Sequence, residues 1–380
     1  MSSSGRPKTL LFVVTEDWYF WSHRLALARA AREAGWRVIV ATRVQAHGAR
    51  IEAEGFRLVA LPWRRGGGTA IEELRTIWQL YRLMRRERPD LVHLIALKCI
   101  VYGGIPARLA GIATRVSTVA GLGFVFTSKS RKARLLRPIL RQALRLAIAG
   151  PGSLVTVQNP DDGRLLADGI VDPARMNLIR GSGVDTDRFS PAPEPDGVPV
   201  VAMACRLVRD KGVAVVVEAA RRLKAAGIAV QIRLAGAIDP ENRDAHTLAE
   251  LQGWVAEGLV EWHGPVEDVP ALWRSSHIAV YPSVYGEGIP KTLLEAASCG
   301  KPIVTTDMPG CRETVEHGIT GYLVPPGDAV AVAECLGRLI EDAALRRRMG
   351  EASRAKALAE FGDTRIVAET LAVYRAVTGG

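Results

Sequence analysis

The sequence predicts an α/β protein of two doubly wound parallel-sheet domains that face each other across a cleft, and three observations carry that expectation. At 380 residues the chain exceeds one ordinary hydrophobic core, which favours two domains of fewer than 200 residues each. Short apolar runs of strand length alternate with amphipathic helical stretches through both halves, the pattern of βαβ units on parallel sheets. Between the halves lies SPAPEPDGVP at 190–199, with four prolines and little that can pack. The domains are therefore placed at 1–190 and 200–363, with a linker at 191–199.

Taken in order, TLLFVV at 9–14 reads as a buried strand. The loop expected at 15–22, TEDWYFWS, is aromatic and acidic and carries no G-x-G-x-x-G, which argues against a nicotinamide dinucleotide site. An Ala-rich helix over about 22–34 stops at Gly35. Strands follow at 37–42 and 58–61, then a helix over 71–86 and a strand at 91–96. A helix near 104–110 and strands at 115–119 and 154–158 complete the first half. The second half restarts with strand 200–204, helix 213–226, strand 230–235, helix 245–256 and strand 260–263. A short helix near 269–275, strand 278–282, a helix opened by Pro290, and strands 302–306 and 321–324 follow.

The composition, 48% hydrophobic and 24% charged, is that of a globular protein, and no apolar run reaches the length of a membrane span. The start of the chain has no signal-peptide pattern, so a cytoplasmic location is expected. Five widely spaced cysteines, Cys99, Cys205, Cys299, Cys311 and Cys335, form no C-x-x-C pair and indicate neither a disulfide framework nor a zinc site. The net charge of +10 is uneven: residues 1–190 hold 30 Lys and Arg against 15 Asp and Glu, leaving 20 against 25 of the totals of 50 and 40. An anionic partner is expected for the first half: a membrane, a polyphosphate or a nucleic acid.

The chemistry concentrates in YPSVYGEGIPKTLLEAASCGKP at 281–302, where a strand ends in a polar loop and Pro290 suits the first helical position. The free amides of the following turn make a socket for an anion. Glu287 and Glu295 flank it with seven residues between them, so a bound phosphate needs positive charge from elsewhere. Arg206 and Lys211, between the strand at 200–204 and its helix, can supply a guanidinium fork and a point charge. For that stretch by itself, two solvated surface cations are the simpler reading, and the balance reverses only beside the Glu287/Glu295 segment. A carboxylate such as Glu295 near a helix start can also merely satisfy the helix dipole.

With these residues in place, GEGIPKTLLEAASCGKPIVTTDMPGCRETVEHGITGYLVPPGD, the Arg206/Lys211 pair, GSGVDTDRF at 181–189 and the tail FGDTRIVAETLAVYRA resemble a family 4 retaining glycosyltransferase over nearly the whole chain. The resemblance implies a GT-B fold, a nucleotide-sugar donor held mainly by the second domain, an acceptor on the first, and no metal or cofactor. It also implies that the final helix, 364–380, crosses back to complete the first domain. Arg206 and Lys211 would then bind the donor diphosphate, Glu287 would sit by the donor sugar, and the amides of Gly288, Ile289, Pro290's successor Lys291 and their neighbours would meet hydroxyls or phosphate. Pro290 and Leu294 shape that donor site, and Glu295 would hold the ribose. The first domain departs from the pattern. Thr118-Val119-Ala120-Gly121 stands where many members have T-V-H-G, so no side-chain base is implied.

EDWYFWSHRLALARAAREAGW, HLIALKCIVYGGIPARLAG and AGLGFVFTS resemble, more narrowly, bacterial transferases that extend polyprenyl-diphosphate-linked saccharides. That implies an undecaprenyl-diphosphate saccharide acceptor, a UDP-sugar donor, and acceptor-side residues His23, His93, Lys98 and Gly121. His93 reads equally as a buried, satisfied histidine. At 129–149, cations including Lys129, Arg131, Lys132, Arg134, Arg137 and Arg141 interleave with leucines, as in a helix lying on the inner face of an anionic membrane. An ordinary amphipathic helix with a solvated basic face has the same pattern. A soluble acceptor and a non-catalytic sugar-nucleotide scaffold are the alternatives kept. Nucleic acid ranks last, because the cations lie among leucines and no recognised nucleic-acid module is present.

Overall fold

The computed structural model of the chain describes residues 6–63, 68–122, 126 and 131–379, and in 131–148 every side chain but that of Lys132. The described residues divide into two compact units, Met1–Ser182 with Thr364–Gly380, and Gly183–Asp363. Each is a parallel sheet with helices around it, the architecture of a Rossmann-like domain.

In the first unit the strands are β1 (Thr9–Glu16), β2 (Arg37–Arg43), β3 (Arg57–Ala60), β4 (Leu91–Ile95), β5 (Arg115–Val119), β6 (Ser153–Val157) and β7 (Met176–Leu178). They lie in the order β3-β2-β1-β4-β5-β6-β7. The helices are α1 (Asp17–His23), α2 (Leu25–Glu33), α3 (Gly48–Ala53), α4 (Ala70–Glu87), α5 (Leu97–Leu109), α6 (Arg131–Ile148) and α7 (Pro160–Ala167). Because strand side chains alternate in direction, β1 feeds two cores. Leu11 and Val13 join the cluster that holds Leu80, Ile100 and Leu144 from α4, α5 and α6, whereas Leu10, Phe12 and Val14 pack with Phe20, Leu27 and Ile51 from α1, α2 and α3. Both faces of the sheet are covered at its centre, which is why β1 and β4 read as largely apolar runs, whereas the edge strands β3 and β7 are partly exposed.

The stretch read as an aromatic loop is instead helical. Asp17 is fully buried, and its carboxylate accepts the amides of Gln45 and His47 at 2.7 and 2.8 Å, which pins α1 against the loop after β2. Its aromatics divide: Phe20 is buried while Trp18, Tyr19 and Trp21 are partly exposed.

The second unit carries β8 (Val200–Ala204), β9 (Gln231–Ala235), β10 (Glu261–Trp262), β11 (Ile278–Tyr281), β12 (Ile303–Thr306) and β13 (Gly321–Val324), ordered β10-β9-β8-β11-β12-β13. Its helices are α8 (Val213–Ala225), α9 (Leu248–Ala256), α10 (Val269–Arg274), α11 (Lys291–Ser298), α12 (Ala329–Glu341) and α13 (Ala343–Glu360), and one core cluster joins them. The division falls at Ser182/Gly183, earlier than the proline-rich stretch at 190–199 suggests. That stretch packs on the second unit: Arg346 holds Glu194 through two hydrogen bonds of 2.8 and 2.9 Å, and His277 Nε2 meets the Pro195 carbonyl at 2.9 Å. The last helix, α14 (Asp363–Thr378), returns the chain to the first unit and buries Ile366, Val373 and Tyr374 in the α1–α3 core.

Candidate active site

In the second unit, β8 and β11 are parallel neighbours from which the sheet is built outward in opposite directions. This is the topological switch point, and the crevice beyond the strands' carboxyl ends is where such sheets bind ligands. The two loops that leave it are 205–212 and 282–290.

Glycine is required where these loops meet. Gly212 has φ +77°, and a Cβ there would collide with the Pro282 carbonyl. The contact is sealed by the Val284 amide and the Ser283 hydroxyl, both donating to the Asp210 carbonyl at 2.9 and 3.0 Å. Gly310, φ +85°, lies against the carbonyls of Glu287 and Gly288, and the Glu287 amide donates to the Pro309 carbonyl at 3.2 Å. The loop that carries Glu287 is thus clamped from both sides by backbone.

Within this frame Lys211 Nζ donates to Glu287 Oε2 at 2.6 Å, and the Tyr281 hydroxyl donates to Glu287 Oε1 at 3.0 Å. The ammonium lies 5.6 Å from the Tyr281 ring centroid. Arg206 Nη1 donates to Asp239 Oδ2 at 3.1 Å, with the guanidinium 39% exposed and Asp239 nearly buried. The fold therefore gathers Arg206, Lys211 and Glu287 at one switch point. Tyr281 and Asp239, which orient them, carry no signal in the local sequence: one reads as a strand residue and the other sits in an unremarkable loop.

Pro290 is the cap of α11 rather than its first helical residue, with φ −64° and ψ 121°, and its carbonyl accepts the amides of Leu293 and Leu294 at 3.1 and 3.4 Å. A proline cap supplies no side-chain acceptor, so the amide end of α11 faces the loop without one. Gly288, Ile289 and Leu294 are buried, and Lys291 is partly exposed in the first turn.

Glu295, half-buried on α11, has its carboxyl pushed up to about 7 by burial, against the opposing charges of Lys291 and Arg188. The indole N–H of the buried Trp273 also favours the carboxylate, yet Nε1 has no partner at hydrogen-bond distance. A carboxyl poised in this way is suited to accept hydroxyl donors. Arg188, from the stretch at 181–189, is a further cation of this neighbourhood. That stretch is anchored by the Val184 amide on the Phe361 carbonyl and the Asp363 amide on the Val184 carbonyl, both at 2.9 Å.

The first unit has the same switch point, between β1 and β4. His93 does not reach it. It sits in the middle of β4, fully buried, with Nδ1 2.6 Å from the Tyr374 hydroxyl and Nε2 2.6 Å from Thr118 Oγ1. Burial, reinforced by the Arg24 charge, holds it well below its ordinary value and hence neutral. As an acceptor-side residue His93 is therefore corrected to a core histidine joining the sheet to α14. His23, at the end of α1, stacks on Tyr19 at 4.1 Å and lies 2.6 Å from Ser22 Oγ. Lys98, in the first turn of α5, pairs with Glu73 at 3.0 Å and lies near the Trp63 and Tyr102 rings. Ala96, which precedes α5, has φ +74°, a backbone conformation costly for a residue with a Cβ and found preferentially at functional sites. Gly121, φ +95°, makes the turn after β5.

On α6, Arg131 and Arg134 are exposed and Arg137 is half-buried, and Leu135 and Ile139 are 74% and 66% exposed. Arg141 is corrected: its guanidinium is held by the backbone carbonyl and the carboxylate of Asp168, so it faces the protein. Lys129 and the Lys132 side chain lie outside the described residues. Among the described residues no helix is long and apolar enough to cross a membrane.

Comparison with known families assigns both halves. Residues 9–149 match the model for "Glycosyl transferase 4-like" and residues 198–342 that for "Glycosyl transferases group 1". The two halves of the chain therefore carry glycosyltransferase domains of these two families. Its glycosyltransferase domains are 24% identical, over 92% of this chain and 94% of the relative, to N,N'-diacetylbacillosaminyl-diphospho-undecaprenol alpha-1,3-N-acetylgalactosaminyltransferase of Campylobacter jejuni. They are 26% identical, over 72% of each chain, to UDP-Gal:alpha-D-GlcNAc-diphosphoundecaprenol alpha-1,3-galactosyltransferase of Escherichia coli. Among solved structures, sucrose-phosphate synthase of Thermosynechococcus elongatus superposes with a TM-score of 0.80 at 21% identity, covering 98% of this chain and 99% of that one. Anabaena HepE in complex with UDP-glucose gives 0.77 at 20% identity, covering 96% and 99%.

Proposed function

We propose that this glycosyltransferase moves a hexose or N-acetylhexosamine, with retention of configuration and without a metal ion, from a UDP-sugar to an undecaprenyl-diphosphate-linked saccharide. The second unit takes the donor, and the first takes the acceptor and meets the inner face of the membrane through α6. The observation that carries the reading is the union of Arg206, Lys211 and Glu287 beside the amide end of α11. Two cations and a helix N-terminus suit a diphosphate, and a carboxylate next to them suits a polar sugar. The names of both relatives above contain an undecaprenol-diphosphate acceptor, and one contains a UDP-sugar donor.

In the step proposed, the bond from the donor's anomeric carbon to the diphosphate oxygen breaks and a bond from that carbon to an acceptor hydroxyl oxygen forms on the same face. The hydroxyl proton passes to the departing diphosphate, which needs no side-chain base. Negative charge grows on that oxygen as the sugar gains oxocarbenium character. Arg206 and Lys211 then act most strongly in the transition state, where the charge is largest. Donor binding gives Lys211 a phosphate in place of, or alongside, Glu287, and Glu287 turns to the sugar while Tyr281 keeps its other oxygen fixed. Glu295 accepts the ribose hydroxyls. The test is a screen of UDP-sugars with a lipid-diphosphate saccharide, reading UDP release and the anomeric coupling of the product. An inverted product contradicts the retaining step, and UDP release only with water-soluble acceptors contradicts the lipid acceptor.

A further inference from the structure

The outward face of α4 is built unlike that of a solvated helix. Ile71, Leu74 and Trp78, spaced three and four residues apart on one side, are 74%, 64% and 56% exposed. Trp78 stacks on Tyr81 at 5.3 Å. Arg75 and Arg82 are exposed in the same helix, and Arg85 and Arg86 follow at its end. All three of its acids are engaged by donors of the protein. Glu72 closes a capping box with Thr69, Glu73 takes the Gly68 amide and Lys98, and the buried Glu87 is shared by Arg37, Arg57 and Arg86. What remains outside is apolar, aromatic and cationic apart from Gln79, and each carboxylate of the helix already has a partner. The same combination of exposed leucine, isoleucine and arginine marks α6, and α5 packs against both helices.

We infer that α4 is a second membrane-contact helix, which lays Ile71, Leu74 and Trp78 into the acyl boundary of an anionic bilayer while Arg75 and Arg82 meet its headgroups. Charge decides the occupant: a face that exposes Arg75, Arg82 and Arg85, on a helix whose acids are each engaged by the protein, is complementary to anionic lipid, and an aromatic pair suits the depth of the headgroups. The inference rests on the proposal that the protein works at a membrane surface, but it concerns a different helix, so the two fail separately.

The experiment uses the full chain with phosphatidylcholine vesicles containing phosphatidylglycerol, and UDP binding as a control for an intact fold. The triple variant Ile71→Ser, Leu74→Ser, Trp78→Ser is expected to lose at least tenfold in vesicle partitioning while UDP affinity is unchanged. Brominated lipids are expected to quench part of the tryptophan fluorescence of the native chain, and Trp78→Phe to remove that part. Wild-type partitioning of the triple variant, while Arg131→Glu with Arg134→Glu on α6 abolishes it, overturns the inference and leaves the α6 reading standing. Loss in the α4 variant alone supports the inference and overturns α6. No binding by the native chain overturns both. A native dimer that the triple variant makes monomeric, with vesicle binding unaltered, reassigns the face to contact between copies and overturns the inference.

Discussion

Lys211 and Glu287, 76 residues apart in the chain, are joined at 2.6 Å across the loops that follow β8 and β11. Both side chains are largely shielded, at 16% and 23% exposure, so each compensates the other's charge. Removing one partner leaves the other charged and under-solvated. Lys211→Ala and Glu287→Ala are therefore expected to be strongly non-additive, with a coupling of about 0.5–3 kcal/mol in denaturant-derived stability. Additive losses in the double-mutant cycle would show that the pair carries no shared energy.

Arg206 is more exposed than Lys211 and reaches Asp239 with one nitrogen, which leaves the rest of its fork for a ligand. Arg206→Ala is expected to lower kcat/KM for the donor by about one to two orders of magnitude, the worth of about 1.5–3 kcal/mol in charge-assisted hydrogen bonds. Both kcat and KM are expected to change. Calorimetric titration with UDP separates the ground-state part, and an unchanged UDP affinity removes Arg206 from the diphosphate.

Glu295 gives a pH dependence of definite sign. Its carboxyl is raised from an ordinary 4.5 to about 7 in the fold, so the folded chain binds the proton more tightly than the unfolded chain does. Its contribution to stability is complete below pH 4.5 and is lost as pH rises through about 7. Hydroxyl donors from a ribose favour the ionised form. UDP binding is then expected to tighten between pH 6 and pH 8 with release of a proton, and Glu295→Gln to flatten that profile. Titrations in two buffers of different ionisation enthalpy count the proton.

Tyr374→Phe is expected to cost about 1–3 kcal/mol in global stability, because it leaves the buried Nδ1 of His93 without its partner. Urea unfolding measures this directly. A neutral change would mean that His93 does not depend on α14.

These cases also mark what the chain discloses before it folds. The central strands of the second unit, β8, β11 and β12, were legible because each is a short run buried along nearly all its length. Arg206, Lys211 and Glu287 were legible because they sit in a recurrent motif at strand ends. No local pattern could choose between the acceptor-side and the buried reading of His93. Its register puts it inside β4, and the hydroxyl that satisfies it lies 281 residues away. Within the aromatic stretch at 15–22 the helix is capped by Glu16 without a side-chain hydrogen bond, and it is held instead by Asp17 meeting amides after β2. At 190–199 the prolines mimic a free linker, but Glu194 finds Arg346 and packs the segment down.

The account turns on Glu287, and turnover of the Glu287→Gln variant tests it most directly. With a UDP-sugar and an undecaprenyl-diphosphate saccharide present, the native chain is expected to release UDP and lengthen the lipid-linked glycan. Glu287→Gln, which keeps an acceptor for the Tyr281 hydroxyl, is expected to fall by about a hundredfold or more in kcat while remaining folded at the assay temperature. Undiminished transfer by the variant would contradict the assignment of the active site.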